Sequence, residues 1–297
     1  MKIRSILLTS AGVLFCAASI SATTLAHTWV SGSGSDSNTC TFASPCATFT
    51  GALAKTVAGG MISAKDAGDF GAVTITQSVT IDGSNLGSIA TNNVGVQINN
   101  TNSTPIDVVL LNLTISGTGQ TMYGIEMSGA INLTVDNCRF INLSGDGGGL
   151  YAFSNATQNV TIRNSIFSGF WVGIATNSGV GIARVSLQNV TITGAVGSAV
   201  VGFTGIFEIT GSVITQSGTG IDASNGSTIS VASSMITANT TGVCSEASSK
   251  IRLDNNDIYD NTTAIGNCGG TIKTSTTNKT SGTIAIPASD VSNSVTF

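Results

Sequence analysis

Charged residues are scarce in this chain of 297 residues, of which Asp, Glu, Lys and Arg make up only 9%. There are 11 basic and 15 acidic residues, so the formal net charge is −4. Nucleic acids and anionic lipid surfaces require a basic surface, which this balance does not provide. We therefore expect no nucleic-acid partner and no membrane-surface partner.

Histidine and proline are also nearly absent, with 1 His and 3 Pro. The histidine, His27, lies near the start, and no CxxC pair occurs, so we expect no metal site built from His and Cys. Few prolines suit β-strands, whose hydrogen-bond ladders proline interrupts, and 36 glycines suit many tight bends. The composition favours an all-β fold.

One acidic run, with Asp254, Asp257 and Asp260, has the residue type that binds Ca²⁺. It lacks the glycine turn and the bidentate glutamate that would complete such a site. A solvated bend is the favoured interpretation, and we expect no cofactor, with Ca²⁺ as the alternative.

What the chain does contain is a repeat. An apolar anchor recurs six times with steps of 27, 25, 22, 22 and 22 residues, and Leu110 fits as an earlier anchor. Other apolar residues lie two positions before and five positions after each anchor. The fixed period is typical of a solenoid, and the spacing of two is that of a strand with one buried face. The six anchors are Val135, Ile162, Leu187, Ile209, Val231 and Leu253.

Asparagine is the commonest residue two positions after the anchors. Stacked coils bring equivalent positions about 4.8 Å apart, so amide side chains can pair from coil to coil. Asn and Gly also tolerate the left-handed backbone of a sharp bend. We expect a buried, hydrogen-bonded ladder at this position. Its members are Asn112, Asn137, Asn164, Asn189, Gly211, Ser233 and Asn255.

These features resemble the right-handed parallel β-helix of the pectin-lyase-like superfamily. The segments Trp29–Gly32, Cys40–Cys46, Phe49–Gly60 and Phe70–Ile75 are similar to the opening of a group of bacterial secreted β-helix proteins. The resemblance implies coils of about 22 residues with an internal Asn ladder. It leaves the activity open, because the superfamily contains lyases, hydrolases, esterases and non-enzymes.

Residues 1–26 have the features of a secretory signal peptide. Lys2 and Arg4 precede an apolar stretch, and Thr24-Leu25-Ala26 is a small-residue cleavage site. Ser21-Ala22 is a competing site, and an uncleaved membrane anchor is the alternative interpretation. We expect a secreted, periplasmic or cell-surface protein that is monomeric and not membrane-bound after cleavage.

The rest of the chain is expected to divide into three parts. Residues 27–70 form an N-terminal cap with a cysteine loop and a short helix that begins at Ser44 and ends before Gly59. Residues 71–269 form the parallel β-helix, and residues 270–297 form a last coil or a second cap.

Export favours disulfide formation. Cys40 and Cys46 bracket a short loop and are expected to pair. Cys244 and Cys268 lie 24 residues apart, close to one coil, and are also expected to pair, although the offset from the coil length strains the geometry. Cys16 is expected to leave with the signal peptide, and Cys138 remains as a small buried residue.

Extra residues interrupt the regular coils at Gly117–Tyr123 and Ser144–Gly148, and aromatic and acidic residues gather in the same coils. Loops that leave a regular scaffold often carry function. Rings beside acids suit a polysaccharide, because sugars stack on rings and their hydroxyls bond to acids. The alternative is that Phe170 and Trp171 only pack a loop. The candidate carbohydrate-binding residues are Tyr123, Glu126, Asp146, Tyr151, Phe170 and Trp171, with Phe153 nearby.

The sequence therefore predicts a carbohydrate-binding or structural surface module with no assigned catalytic residue. The alternative is a polysaccharide lyase or glycoside hydrolase that acts on a polyuronide-like substrate. A hydrolase needs two carboxylates on one face, about 5–10 Å apart. The coils contain neither an Asp-Asp pair nor a histidine, so the binding function is favoured.

Overall fold

A computed structural model describes residues 24–285, except residues 121, 155 and 180, and leaves out the side chains of Asp146, Ser154 and Ser178. In it the chain winds into a parallel β-helix, in which each strand pairs in parallel with the equivalent strand one coil away. Each regular coil contributes strands to three faces.

One strand of each coil joins an eleven-stranded parallel sheet, here called sheet A. Its strands are β1 (Leu25–Val30), β2 (Thr56–Ala64), β5 (Val79–Asp82), β8 (Ile106–Leu111), β11 (Ile131–Asp136), β13 (Gln158–Arg163), β15 (Ala183–Gln188), β18 (Gly205–Thr210), β21 (Thr228–Ala232), β24 (Lys250–Asp254) and β27 (Thr271–Thr274).

The remaining strands form two further faces, which two long strands join into a single sheet of 18 strands. The long strands, β12 (Arg139–Ser154) and β14 (Ile166–Ser178), run through the corner between the faces. Face B also contains β3 (Gly68–Asp69), β6 (Gly87–Thr91), β9 (Thr114–Gly117), β16 (Thr191–Ala195), β19 (Val213–Thr215), β22 (Met235–Thr237), β25 (Asp257–Tyr259) and β28 (Lys279–Thr280). Face C also contains β4 (Val73–Ile75), β7 (Val94–Asn99), β10 (Tyr123–Ser128), β17 (Ser198–Phe203), β20 (Thr219–Ser224), β23 (Thr241–Ser245), β26 (Thr263–Ile265) and β29 (Thr283–Ile284).

The predicted anchors form one continuous stack inside sheet A. Val135 pairs with Leu110 on one side and Ile162 on the other, and the stack continues through Leu187 to Leu253. All of these side chains are buried. The β-solenoid predicted from the period and the right-handed parallel β-helix implied by the family resemblance are both confirmed.

The asparagine column lies where predicted, at the bend between sheet A and face B, but on the outside. Asn137, Asn164 and Asn189 have φ angles of 53°, 51° and 54°, so the expected left-handed backbone is present. Asn137 Nδ2 donates to Asn112 Oδ1 at 2.8 Å, and Asn189 Nδ2 donates to Asn164 Oδ1 at 2.9 Å. All three of these bend side chains are nevertheless exposed. The prediction of burial is therefore wrong, because the bend turns this position away from the core.

The buried ladder lies one residue further along each coil. The backbone N–H of Ser212 donates to Ser234 Oγ at 3.2 Å, and that of Ser234 donates to Asn256 Oδ1 at 3.0 Å. Asn256 Nδ2 donates to the Val231 carbonyl at 2.9 Å and to Asn278 Oδ1 at 3.0 Å. These side chains satisfy buried backbone groups at a bend, where the strand ladder cannot reach them.

A second buried ladder occupies the bend between faces B and C. The backbone N–H groups of Ser217 and Asn239 donate to Asn239 Oδ1 and Asn261 Oδ1, each at 2.9 Å. In earlier coils this position holds Phe170 and Ala195, which face each other across β14 and β16. The bend is therefore filled by apolar side chains in the middle coils and by polar ladders in the last ones.

The one helix in the described residues is α1 (Phe49–Leu53). Its N-cap is Thr48, whose Oγ1 accepts the Gly51 N–H at 2.9 Å, so the predicted start at Ser44 is wrong. The predicted end is also wrong, because Gly59 already lies in β2. Phe49 and Phe70 meet edge to face at 5.2 Å and are both buried. This contact anchors the helix to the first coils.

The solenoid begins before its predicted start at residue 71, and it ends with a last coil, one of the two predicted alternatives for the C-terminal part. Strands β1 and β2 lie within or overlap residues 27–70, yet they already belong to sheet A. Residues 271–284 add β27, β28 and β29, which complete a further coil. Residues 286–297 lie outside the described part of the chain.

Most of the predicted signal peptide also lies outside the described residues. Leu25 and Ala26 belong to β1, and the Leu25 N–H donates to the Lys55 carbonyl at 2.8 Å. Cleavage after Ala26 would remove these two residues from the strand, whereas cleavage after Ala22 would leave the strand whole. Within residues 24–285, the gaps aside, no helix is long and apolar enough to span a membrane.

Both predicted disulfides are present. Cys40 pairs with Cys46 and Cys244 with Cys268, with Cα–Cα distances of 4.7 and 5.8 Å. Cys138 is free and buried. Burial, the largest effect, raises the pKa of its thiol to about 12.

The two asparagines at one bend allow a matched test of the internal ladder. Asn256→Ala should lower the free energy of unfolding by about 1–3 kcal/mol, because it leaves buried backbone groups unpaired. Asn255→Gly should change the free energy of unfolding by less than about 0.5 kcal/mol. The Asn255 side chain is exposed, and glycine accepts the left-handed backbone at this position. Urea unfolding measures both values. Equal losses would contradict the assignment of the ladder to the inner position.

Cys138 should resist alkylation in the folded protein and react only after unfolding, because a buried thiol with a raised pKa forms little thiolate. Mass spectrometry after iodoacetamide treatment without reductant measures this. For protein without residues 1–26, and so without Cys16, modification of one cysteine in urea and none in buffer is expected. Rapid modification of the native protein would show that Cys138 is accessible.

Candidate functional site

The candidate site lies on the outer surface of face C. Ile125, Leu150 and Ile174 point inward and are buried, so the residue after each points outward. Strand pairing places these outward residues in one column that crosses the face coil by coil. The column is Gln97, Glu126, Tyr151, Ala175, Val201, Asp222 and Cys244.

Two tyrosines stack at the centre of this region. The rings of Tyr123 and Tyr151 are 4.8 Å apart between centroids and inclined by 19°. Asn177 Nδ2 donates to the Tyr151 hydroxyl at 2.9 Å, which holds the second ring in place. Burial, followed by the proximity of Tyr151 and Glu126, raises the pKa of Tyr123. Both rings are half-buried, so part of each ring remains accessible to a ligand.

Glu126 lies beside this stack, at the rim of a depression of about 390 Å³. It pairs in register with Gln97, and Gln97 Nε2 donates to Glu126 Oε2 at 3.5 Å. Thr50 and Thr74 also line the depression. With Asn93, which also lines the depression, the site presents one carboxylate, two amides and two hydroxyls to a bound molecule.

Trp171 borders a second depression, of about 490 Å³, at the corner between faces B and C. Its side chain is 49% exposed. Gly197 permits this position, because a Cβ on Gly197 would lie 3.3 Å from the indole nitrogen. Asn142 and Ser144 supply polar groups to the same depression. An exposed indole above polar groups can stack against a sugar.

The structure separates the predicted site residues. Phe170 is buried in the core, so its assignment to a binding site is wrong. Successive side chains of a strand point to opposite sides, and here Trp171 is the residue that faces out. Asp146 lies in β12 at the register shift between Leu143 and Gly148, but its side chain is not among those described. Phe153 is 44% exposed and lies further along face C.

Tyr123, Glu126, Tyr151 and Trp171 remain as a coherent set, here called the aromatic edge. The tyrosine stack lies between the depression at Glu126 and the depression at Trp171. Trp171 belongs to the coil that follows Tyr151, so the set extends over two coil spacings, about 10 Å along the solenoid axis. It forms an extended surface instead of one closed pocket.

Asp222 is an ionisable residue of face C that the candidate set omits. Burial, the largest effect, and the nearby Glu246 raise its pKa to about 6, although a hydrogen bond from Ser224 opposes them. The Ser224 hydroxyl donates to Asp222 Oδ1 at 3.3 Å. Asp222 therefore presents a carboxyl group that exchanges its proton near neutral pH.

Two of the residues that the sequence-based candidate set lacks could have been found from the repeat. Asp222 follows Ile221 as Glu126 follows Ile125, so the same column rule identifies it. Gln97 follows Val96 in the same way. Asn177 lies two residues further along its strand than this column, and its contact with the Tyr151 hydroxyl depends on side-chain geometry that the repeat does not encode.

No metal centre is evident among the described side chains, which include no group of three or more His, Cys, Asp or Glu placed to hold an ion. Asp254 accepts a hydrogen bond from the Thr277 hydroxyl at 2.9 Å, and Asp257 lies 3.5 Å from Lys279 Nζ. The acidic run considered for Ca²⁺ is thus divided among different local contacts.

The raised pKa of Asp222 predicts a pH dependence of stability. The folded protein holds this proton up to about pH 6, whereas an unfolded aspartate releases it near 3.8. The free energy of unfolding should therefore fall as the pH rises through this interval. Asp222→Asn should remove that part of the slope and raise the stability at pH 7. Thermal melting of both proteins from pH 4 to 7 measures the difference, and parallel curves would contradict the assignment.

No family model matches the sequence, and no curated protein matches it. Among solved structures, the chain is similar to pectate lyase Pel9A, with a TM-score of 0.67 and 14% identity over 93% of this chain and 82% of that one. The A-modules of two Azotobacter vinelandii mannuronan C-5 epimerases are more distant. AlgE6 has a TM-score of 0.41 and 14% identity over 73% and 71% of the two chains. AlgE4 has a TM-score of 0.41 and 13% identity over 76% and 80%. The chain thus has the parallel β-helix fold of pectate lyase Pel9A.

Proposed function

We propose that this protein binds a polysaccharide along the aromatic edge of face C. The observation that carries the proposal is the stacked pair of Tyr123 and Tyr151, which faces outward beside the carboxylate of Glu126. A regular coil does not need two stacked rings on its outer surface. Such rings suit a polysaccharide-binding site, because the apolar faces of sugars pack against rings while their hydroxyls bond to acids and amides.

The two depressions suit an extended ligand. One supplies Glu126, Gln97 and two threonine hydroxyls, and the other supplies Trp171 with Asn142 and Ser144. A polymer laid across both would contact the tyrosine stack between them. The pectate lyase with the same fold is, by its name, active on a polysaccharide, which supports this class of ligand.

Binding without hydrolysis is the better-supported function of this edge. Among its described side chains Glu126 is the single carboxylate, whereas hydrolysis of a glycosidic bond uses two carboxyl groups. We also propose that the protein is exported, which its two disulfides support, because such bonds persist in oxidising compartments.

An enzyme that degrades a polysaccharide is the second candidate, and Asp222 is the observation that favours it. This carboxyl group faces outward on face C, has a pKa raised to about 6 and lies near Glu246. A proton held near neutral pH is what a general acid requires. Loss of turnover in Asp222→Asn, with binding unchanged, would support this candidate.

Screening of the protein without its signal segment on a glycan array tests the proposal. Trp171→Ala and Glu126→Gln should each weaken binding of the selected glycan about tenfold or more, because they remove a stacking ring and an ionised acceptor. Calorimetry with that glycan measures the affinities, and an assay for newly released sugar ends measures turnover.

Leu86→Ala is the matched control, because Leu86 is 48% exposed, close to the 49% of Trp171, and lies outside face C. It should leave binding unchanged, and all three variants should melt near the wild-type temperature. Binding that survives both Trp171→Ala and Glu126→Gln would overturn the proposal, as would the absence of any bound glycan.

A further inference from the structure

Sheet A carries a group of cations that the aromatic edge does not involve. Lys250 and Arg252 flank Ile251 on β24, and Lys273 follows Ile272 on β27. The two isoleucines are buried, so the three cationic side chains point outward. Lys250, Arg252 and Lys273 are here called the cationic patch.

Strand register brings these cations together. Arg252 pairs directly with Lys273 on the neighbouring strand, which separates their backbones by about 4.8 Å. Lys250 lies two residues from Arg252 on the same face, about 7 Å away. Like charges at facing positions of neighbouring strands repel each other. This arrangement is unusual in a chain with only 11 basic residues and a net charge of −4.

Within the described residues, no ion pair joins an acidic side chain to the patch. The ion pairs there are Arg163 with Asp136 and Lys279 with Asp257. Asp254 lies on the same strand as Arg252, but its carboxylate accepts the Thr277 hydroxyl at 2.9 Å. The three cations are therefore left to face solvent or an external anion.

A shallow groove runs along the outer surface of sheet A and ends at Asp254 on β24, the strand that also carries Lys250 and Arg252. Two depressions of about 250 and 260 Å³ share Glu208 and so lie end to end. Arg184 and Glu208 line the first, Glu208 and Asp254 line the second, and apolar and small polar side chains make up the remainder. These small side chains are Asn159, Thr161, Ser186, Thr210 and Ser230.

The groove has the chemistry of a polysaccharide site with anionic groups. Its hydroxyls and amide can bond to sugar hydroxyls, while Arg184 and the patch can bind carboxylates through charge-assisted hydrogen bonds. From β15 to β27 this surface carries four cations and two carboxylates, a low positive density. None of the outward residues on these strands is aromatic, so nucleic-acid bases would find no stacking partner.

We propose that the outer surface of sheet A, from Arg184 to the cationic patch, is a second binding surface that takes a carboxylated polysaccharide. This surface lies on a different face from the aromatic edge. The inference therefore does not depend on the function proposed for that edge. A protein with both surfaces could hold two segments of polymer at once.

Calorimetry with polygalacturonate at low and at physiological ionic strength tests the inference. The wild-type protein should bind, and its affinity should fall as salt is added, because the contacts are ionic. Arg252→Gln and Lys273→Gln should each weaken binding about tenfold without lowering the melting temperature, because each relieves the repulsion within the patch.

Lys279→Gln is the matched control, because it also removes one positive charge but lies on face B, paired with Asp257. It should leave the affinity unchanged. Trp171→Ala should also leave this binding unchanged, which separates a failure of the sheet A surface from a failure of the aromatic edge.

Three results would overturn the inference. They are the absence of binding to polygalacturonate at low salt, equal weakening by Lys279→Gln and Arg252→Gln, and equally tight binding of single-stranded DNA or dextran sulfate. The last would show attraction to any polyanion instead of recognition of a carboxylated sugar chain.

Discussion

The structure depends on parallel pairing between residues one coil apart. Ile209 pairs with Leu187 on one side and Val231 on the other, so the neighbours of a buried residue are its own counterparts in the repeat. The same rule acts on the outer surface, where equal charges in one column would face each other and repel. A solenoid of this kind is therefore driven towards neutral Thr, Ser and Asn on its faces, which explains a charged content of only 9%.

The bends set the second constraint. At each corner the strand ladder is interrupted, and backbone N–H groups that turn towards the core need another acceptor. Asn256 and Asn239 provide this acceptor from inside the solenoid. Asn164 and Asn189 form a hydrogen bond with each other on the outside, and their main role is to adopt the left-handed backbone of the bend. Two adjacent asparagines such as Asn255 and Asn256 thus have different roles, because one residue of displacement at a bend exchanges the inner and outer sides.

The sequence predicts the parts of the molecule that follow from period alone. The anchor stack, the left-handed bends and both disulfides agree with the structure. The buried position of the ladder could not be derived, because the period does not say which side of a bend faces the core. For the same reason Phe170 and Trp171 could not be told apart: adjacent residues point to opposite sides, and the register shift after Leu143 hides the alternation. Contacts such as Asn177 with Tyr151 depend on side-chain geometry and lie beyond any repeat pattern.

Chemistry on this scaffold arises where a column changes its residue type. The outward column of face C begins with Gln97, Glu126 and Tyr151, passes through the buried Ala175 and Val201, and ends in Asp222 beside a disulfide. Sheet A changes in the same manner, from the paired Asp136 and Arg163 in its middle coils to unpaired cations in its last ones. Stacking alone would favour uniform columns, since each repeat has the same neighbours. A local departure from uniformity places a side chain of different chemistry on an otherwise uniform face, and a long polymer is the kind of ligand that could contact several such coils at once.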